Sequence, residues 1–220
     1  MSTRTASRNK QSSNSKSLIY WIAGGVVGLG LIVWLAIAIA GEGPVEESIA
    51  YGEVAVEGTN LPVLPSGAAD PAVGFTAPTV SGEDLDGNEI TIGPDGRAKV
   101  IVLLAHWCPH CQVEVPVIQQ WVAAGGLPTG VDLYGATVLT NRVRDGSTWP
   151  PQDWLDGEGW TSPTIKDDQS GSIVAAYGMT GTPTYVVLGP DNENLGRLSG
   201  EVGVQGLNAL AGLAASSLEG

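Results

Sequence analysis

The sequence contains only two cysteines and two histidines. Because Cys108 and Cys111 lie three positions apart, a disulfide between them closes too small a loop to stabilise a fold, which excludes a disulfide-stapled domain. A structural zinc site usually needs four ligands, and the chain offers neither a second cysteine pair nor a distant histidine pair. His106 and His110 lie too close to the cysteines along the chain to complete a tetrahedron easily.

Basic residues are scarce after Gly41. Residues 1–40 contain four Lys and Arg and no acid, whereas residues 41–220 contain 23 acids and six Lys and Arg, a net charge of −17. Binding to nucleic acid through its phosphates needs clustered cations, which this acidic part of the chain lacks. A nucleic-acid partner is therefore excluded.

The N-terminal charges flank a long apolar segment. Residues 1–17 are polar and basic and are predicted to be a disordered cytoplasmic tail. Residues 18–40 carry no charge and, as a helix of roughly 34 Å, would span a bilayer as a transmembrane anchor. The positive-inside rule places the N-terminus in the cytoplasm and the rest of the chain outside it. The alternative is a cleaved signal peptide ending near Ala40, although signal h-regions are usually about 7–15 residues long.

The remaining chain is predicted to be a linker followed by one domain. Residues 41–70 are rich in Gly, Pro and acids and form the extracytoplasmic linker, with a short strand within 51–57. Residues 71–220 alternate between strand and helix patterns, which favours an α/β fold with a central mixed sheet flanked by helices. The predicted strands are 89–92, 99–105, 131–140, 184–188 and 195–199, and the predicted helices are 109–124, 150–155, 169–177 and 207–218. The first of these helices is expected to carry a buried stripe of Val113, Val117, Trp121 and Ala124, with Val115, Ile118 and Val122 beside it.

The strongest chemical signal is the segment WCPHC at positions 107–111, between a buried strand and the start of a helix. A cysteine at a helix N-terminus faces backbone N–H groups and the positive end of the helix dipole, and both favour its thiolate. Cys108 is therefore predicted to attack a disulfide, and Cys111, one turn later, to resolve the mixed disulfide. The alternatives are half of a zinc site and two incidental thiols. Covalent haem attachment would need a histidine where Gln112 stands.

Three separated motifs resemble the thioredoxin superfamily. Residues 105–116, AHWCPHCQVEVP, are similar to its active-site segment, and the last three of them are closest to the membrane-anchored TlpA-like branch. Residues 181–184, GTPT, resemble the cis-proline loop that faces the catalytic disulfide, and residues 74–78, GFTAP, resemble the TlpA-like entry segment. The resemblance covers roughly residues 71–218 and implies a thioredoxin-like fold, with residues 141–165 corresponding to the TlpA-like insertion.

The resemblance also implies roles for residues around the cysteine pair. It implies a cis bond before Pro183, so that the backbone of Thr182 can bind an extended substrate segment. Trp107 is expected to pack beside the disulfide and shield it. The Pro109–His110 dipeptide is similar to that of DsbA-like oxidases, in which a protonated imidazole stabilises the thiolate and makes the disulfide more oxidising. TlpA-like relatives more often act as reductases, so the direction of electron flow stays open.

Glu114 lies six positions after Cys108 in an otherwise apolar stretch. It is predicted either to accept the proton of Cys111 or to be a solvated helix charge. Val102 stands where cytoplasmic thioredoxins carry a buried Asp, which favours Glu114 as the buried carboxylate. His106 is predicted to be a rim residue rather than a catalyst. Three tryptophans are predicted to lie either in the core of the insertion or in a substrate-facing patch: Trp149, Trp154 and Trp160.

These expectations describe a bacterial, membrane-anchored, extracytoplasmic thiol–disulfide oxidoreductase. Its partners would be protein thiols or disulfides outside the cytoplasm, an unidentified redox partner and the membrane itself. No organic cofactor and no metal are expected, because the disulfide carries the two electrons. One alternative is a redox-inactive thioredoxin-fold binding or chaperone module, against which the intact cysteine pair argues. The other is a thiol peroxidase, which usually lacks this cysteine spacing.

Overall fold

A computed structural model describes residues 50–140 and 146–219 of the chain. The predicted cytoplasmic tail and the predicted anchor, residues 1–40, lie outside the described residues, as do positions 41–49 of the predicted linker. None of the helices within the two described ranges combines the length and the apolar character that crossing a membrane requires.

Strands and helices alternate along most of the described chain. The strands are β1 (Ala55–Glu57), β2 (Thr79–Glu83), β3 (Glu89–Ile92), β4 (Ala98–Leu104), β5 (Val131–Thr137), β6 (Thr164–Lys166), β7 (Thr184–Leu188) and β8 (Asn194–Ser199). The helices are α1 (Pro109–Ala123), α2 (Pro151–Gly157), α3 (Ser172–Ala176) and α4 (Gly203–Ser216). Each predicted strand and helix has a counterpart. The predicted helix 169–177 is too long, because the carboxylates of Asp167 and Asp168 cap the N–H groups of Ile173 and Ser172 and so fix the start of α3.

A five-stranded mixed sheet forms the centre of the fold, in the order β6-β5-β4-β7-β8. Strands β4, β5 and β6 run parallel, and β7 is antiparallel to both β4 and β8. All seven residues of β4 are buried, as its unbroken apolar run predicts for a strand covered on both faces. A second sheet, β1-β2-β3, is antiparallel, and its first strand confirms the short strand predicted within the linker.

Alternate residues of β4 enter two different buried clusters. Val100, Val102 and Leu104 pack with α1 and α4, and Ile101 and Leu103 pack on the opposite face with residues of β2, β3 and α3. The cysteine pair belongs to the first cluster. The functional residues therefore lie on the α1–α4 side of the sheet.

The buried face of α1 differs from the predicted stripe. Val113 is 56% exposed and Ala124 is exposed, so their prediction as core residues is wrong. The buried side chains include Val115 and Ile118, together with Cys111, Glu114 and Trp121. Cys111, Val115, Ile118 and Trp121 pack in one cluster with the sheet, and Val113 lies on the opposite side of the helix from this cluster because it is two positions from both Cys111 and Val115.

Arg197 of β8 holds the segment before β2 against the main sheet. Its Nε and Nη2 donate to the two carboxylate oxygens of Asp70, at 3.0 and 2.6 Å. Its Nη1 donates to the carbonyl oxygens of Pro62, at 2.8 Å, and Tyr177, at 2.5 Å. Burial acts to raise the pKa of Asp70, but the hydrogen bonds and the positive charge of Arg197 outweigh it and lower the pKa to about 2. Part of the predicted linker is thus docked on the sheet.

Candidate active site

Cys108 is placed by the junction between β4 and α1. It is the N-cap residue of α1, as predicted, and its N–H donates to the carbonyl oxygen of Ala105 at 3.0 Å. Its own carbonyl oxygen accepts the N–H of Gln112 at 3.1 Å, which closes the first turn of the helix. Cys108 is 5% exposed and Cys111 is 0% exposed, and both are free thiols.

The two thiols differ in pKa. Burial acts to raise the pKa of Cys108, but hydrogen bonds from the Thr182 side chain and from backbone N–H groups at Cys111 and His110 outweigh it, so the pKa is lowered. Burial raises the pKa of Cys111 to about 12, and the N–H of Ala105, 3.5 Å from its sulfur, opposes this only in part. Near neutral pH, Cys108 therefore ionises more readily than Cys111.

The loop before β7 lies against Cys108. The peptide bond between Thr182 and Pro183 is cis, which confirms the prediction from the resemblance. The Cys108 thiol lies 3.5 Å from the carbonyl oxygen of Thr182 and donates to it. Thr184 holds the loop through its hydroxyl, which donates to the carbonyl oxygen of Gly181 at 2.6 Å. The cis-proline loop and the attacking cysteine are therefore adjacent.

Glu114 is a buried carboxylate, only 2% exposed. Its Oε1 accepts three hydrogen bonds of 2.9 Å, from the Tyr185 hydroxyl and from the backbone N–H groups of Val202 and Gly203. Gly203 begins α4, so Glu114 also lies at the positive end of a 14-residue helix. The alternative of a solvated helix charge is therefore wrong. Proton transfer from Cys111 to Glu114 stays a prediction.

Tyr185 was not singled out by the sequence. It is fully buried on β7, two residues after Pro183, in the same cluster as Cys108 and Cys111. Burial, together with the nearby negative charge of Glu114, raises its pKa far above the ordinary value, so Tyr185 remains a neutral hydrogen-bond donor. The rule that a buried tyrosine usually finds a hydrogen-bond partner for its hydroxyl is what could have pointed to Tyr185 in the sequence.

His110 extends from the first turn of α1 toward the connection between β8 and α4. Its Nδ1 lies 2.5 Å from Oε1 of Glu201, and the two side chains are 69% and 38% exposed. Glu201 was not predicted as a site residue, because nothing in the local sequence pairs it with a residue 91 positions earlier. The structure thus adds a carboxylate beside the residue expected to tune Cys108.

His106 is not the predicted rim residue, since it is only 1% exposed. Its Nδ1 lies 3.4 Å from the hydroxyl oxygen of Thr148, and its ring meets the Trp149 ring edge-on at 5.4 Å between centroids. The residues just before α2 therefore cover it. The prediction failed because sequence alone does not show that Thr148 and Trp149 contact a residue more than 40 positions earlier.

Several tryptophans pack in or against the buried cluster that contains both cysteines. Trp107 is half-buried, packs against the cluster that contains both cysteines, and donates from Nε1 to the carbonyl oxygen of Leu139 at 2.9 Å. Trp154 and Trp160 are 5% and 8% exposed in that same cluster, so they are core residues rather than a substrate-facing patch. Within 50–140 and 146–219, no group of three or more His, Cys, Asp and Glu is arranged to hold a metal ion.

The sheet order, the α1 N-terminus and the cis-proline loop together define a thioredoxin-like fold. Two solved structures show the same fold. StoA from Bacillus subtilis matches with a TM-score of 0.51 and 22% identity, over 64% of this chain and 98% of that one. A Chlorobium tepidum protein assigned as thiol:disulfide interchange protein DsbE matches with a TM-score of 0.53 and 19% identity, over 66% and 97%. The fold predicted from the resemblance is therefore confirmed.

Sequence comparison gives a shorter match. The soluble secreted antigen MPT53 of Mycobacterium tuberculosis is 36% identical over 66 residues, which are 30% of this chain and 36% of that protein. The same antigen of Mycobacterium bovis matches equally. The chain thus spans about a third of the length of the curated relatives it matches. No family model matches the sequence.

Proposed function

We propose that the protein is a thiol–disulfide oxidoreductase of the TlpA-like type that exchanges disulfides with protein thiols. The observation that carries the proposal is a contrast in position: Cys108 caps the N-terminus of α1 beside the cis-proline loop, whereas Cys111 is fully buried one turn later. The pKa values, lowered for Cys108 and raised for Cys111, agree with this contrast. This contrast suits an attacking Cys108 and a resolving Cys111. The similar structure from Chlorobium tepidum is named as a thiol:disulfide interchange protein, DsbE, which supports the same chemistry.

In the reducing direction, the Cys108 thiolate attacks one sulfur of a substrate disulfide. A bond forms between Cys108 and that sulfur, the substrate disulfide breaks, and the other substrate sulfur leaves as a thiolate. Cys111 then attacks the Cys108 sulfur, so that the intrachain disulfide forms and the second substrate thiolate leaves. Two electrons pass from the cysteine pair to the substrate, and oxidation of a substrate dithiol is the reverse sequence.

The resolving step needs a proton acceptor. With a pKa of about 12, Cys111 is a thiol at neutral pH and must lose its proton before it attacks. Glu114 lies three residues further along α1, on the same buried face. We assign it as the proton acceptor, with the proton returning to solvent after the substrate leaves.

The rim of the site supplies substrate contacts and tuning. The Thr182 carbonyl and Pro183 are proposed to bind an extended substrate segment, since they lie beside Cys108. Trp107 packs behind the cysteines, and the exposed Pro109 and His110 are proposed to meet the substrate and adjust the Cys108 thiolate. The resemblance to reductases and the Pro-His dipeptide favour opposite directions of electron flow, which the reduction potential of the pair decides.

Assays of the purified protein test this function against its alternatives. We expect reduction of insulin disulfides or oxidative refolding of a reduced substrate, with loss of activity in Cys108→Ser and accumulation of mixed disulfides in Cys111→Ser. Catalysed peroxide consumption without either activity would favour a thiol peroxidase. Suppression of aggregation that survives loss of both cysteines would favour the binding or chaperone module.

The location is proposed from the charge asymmetry of the sequence. Residues 18–40 would anchor the protein with its N-terminus in the cytoplasm and the thioredoxin-like domain outside. Protease added to right-side-out vesicles should then remove the domain and leave the anchor. A domain protected until lysis would reverse the orientation, and a mature chain beginning near Gly41 would identify a cleaved signal peptide.

A further inference from the structure

The hydroxyl of Tyr185 is the only side-chain donor among the three hydrogen bonds that Glu114 Oε1 receives from described residues. The other two come from backbone N–H groups at the start of α4. Tyr185 donates from β7, a strand of the central sheet. The oxygen is thus held between a helix terminus and the central sheet.

This arrangement connects the carboxylate with the cis-proline loop. Tyr185 lies two residues after Pro183, on the strand β7 that directly follows the loop, and its backbone pairs with Val102 of β4. Tyr185, Glu114 and Cys111 are each at most 2% exposed, so water does not compete for the hydroxyl hydrogen bond.

We infer that Tyr185 is a positioning residue that aligns the Glu114 carboxylate to take the proton of Cys111 in the resolving step, an inference that rests on the proposed function. Tyr185 keeps its own proton throughout. In the step itself the Cys111 sulfur loses its proton to Glu114 and bonds to the Cys108 sulfur, while the bond from Cys108 to the substrate breaks and the substrate leaves as a thiolate. Charge and electrons balance without a further reactant.

The ionisable groups that act on the Tyr185 hydroxyl support this role. Burial is the largest cause that raises the pKa of Tyr185, and the charges of Glu114, Cys111 and Glu201 raise it further. Tyr185 and Cys111 belong to the same buried cluster, and the raised pKa keeps the hydroxyl in its neutral, donating form. A donor that never ionises can hold a carboxylate in place through both protonation states of the cysteine.

The reaction of the reduced protein with an aromatic disulfide, 5,5′-dithiobis(2-nitrobenzoic acid), separates the two steps. The first equivalent of coloured thiolate reports attack by Cys108, and the second reports attack by Cys111 on the mixed disulfide. We expect Tyr185→Phe to slow the second phase about tenfold, as the loss of one hydrogen bond to a charged group predicts. The first phase should be unchanged, and the pH dependence of the second phase should move to higher pH.

Tyr177→Phe is the matched control, because Tyr177 is equally buried and its hydroxyl has no hydrogen-bond partner among the described residues. It should leave both phases unchanged. If Tyr185 acts through Glu114, then Tyr185→Phe should add nothing to the slowing already caused by Glu114→Gln.

Four results would overturn the inference. These are an unchanged second phase in Tyr185→Phe, an equal slowing of both phases, additive effects in the double variant, and a normal second phase in Glu114→Gln. A wild-type protein that shows no second phase would instead reject the proposed function, so the two failures are distinguishable.

Discussion

His110 and Glu201 form a hydrogen bond at the rim of the active site, although 91 positions separate them along the chain. His110 belongs to the first turn of α1, and Glu201 directly precedes Val202, whose N–H binds Glu114. A carboxylate next to an imidazole opposes the positive charge that the imidazolium presents to its surroundings. We therefore expect the Cys108 thiolate to receive less stabilisation than the Pro-His dipeptide alone implies.

We predict that replacing the two partners shifts the reduction potential in opposite directions. Glu201→Gln removes the negative charge that faces His110, so it should lower the pKa of Cys108 and make the disulfide more oxidising. His110→Asn leaves Glu201 uncompensated and should do the reverse. Because the two side chains are 69% and 38% exposed, solvent screens their charges, and each shift should be roughly 20 mV, equivalent to about 1 kcal/mol.

Equilibration with glutathione near neutral pH measures both potentials. Glu89→Gln, which removes an exposed acid from β3, is the control for the change in net charge. Shifts of the same sign in the two variants would contradict the prediction. An unchanged potential in His110→Asn would remove the reason for expecting an oxidase.

We predict that Cys108 is alkylated before Cys111 when the reduced protein meets a limiting amount of iodoacetamide near neutral pH. The thiolate is the reactive form, and the pKa is lowered for Cys108 and raised to about 12 for Cys111. Cys111 is also fully buried. Mass spectrometry of the digested protein locates the adduct, and preferential labelling of Cys111 would reverse the assigned roles.

The sequence predicted those parts of the molecule that depend on local patterns. The unbroken apolar run of β4, the helix that begins at Pro109 and the GTPT loop were each recognisable, because strand burial, helix starts and loop chemistry act over a few residues. The resemblance to the thioredoxin superfamily then predicted how these elements are arranged in space. The cysteine pair followed from the same local signals.

Long-range contacts were not predictable in this way. Glu201 reaches His110, and Tyr185 reaches Glu114, across separations of 91 and 71 positions. His106 was expected at the rim, but it is buried by Thr148 and a neighbouring tryptophan. These residues lie more than 40 positions later in the chain, so the local sequence did not indicate the contact. The side chains that contact His110 and Glu114 thus come from distant parts of the chain. No short motif predicts that these parts pack against α1.

We predict that Arg197→Ala destabilises the fold by about 3–5 kcal/mol, because it leaves the Asp70 carboxylate, whose side chain is 6% exposed, without its positively charged partner. The matched control is Arg97→Ala. Arg97 also pairs with an aspartate, Asp132, but those two side chains are 49% and 30% exposed, so the loss should be about 1 kcal/mol or less. Urea unfolding followed by tryptophan fluorescence measures both values, and equal losses would show that burial does not determine the strength of the Arg197 pair.

The last prediction concerns Asp167, a buried carboxyl at the end of β6. Its Oδ1 accepts the N–H groups of Asp168 and Ile173, at 2.9 and 2.8 Å. Burial raises the pKa of Asp167 to about 6, and the charge of Asp168 adds to this, while the hydrogen bonds oppose it. Because the pKa is higher in the folded protein than in the unfolded chain, the resulting stability is complete below about pH 4 and is lost as the pH rises through about 6.

Asp167→Asn keeps a side-chain oxygen for the same two N–H groups but cannot ionise, so it should escape this loss. We expect the free energy of unfolding of the variant, relative to wild type, to rise by about 3 kcal/mol between about pH 4 and pH 7. Urea unfolding at a series of pH values gives this difference, and Asp153→Asn, at an exposed position of α2, is the control for loss of a carboxyl group. At any single pH, the difference in unfolding free energy also depends on how well the new amide packs. The change of this difference with pH is therefore the decisive quantity. A difference that stays constant from about pH 4 to pH 7 would mean that Asp167 ionises in the folded protein as readily as in the unfolded chain.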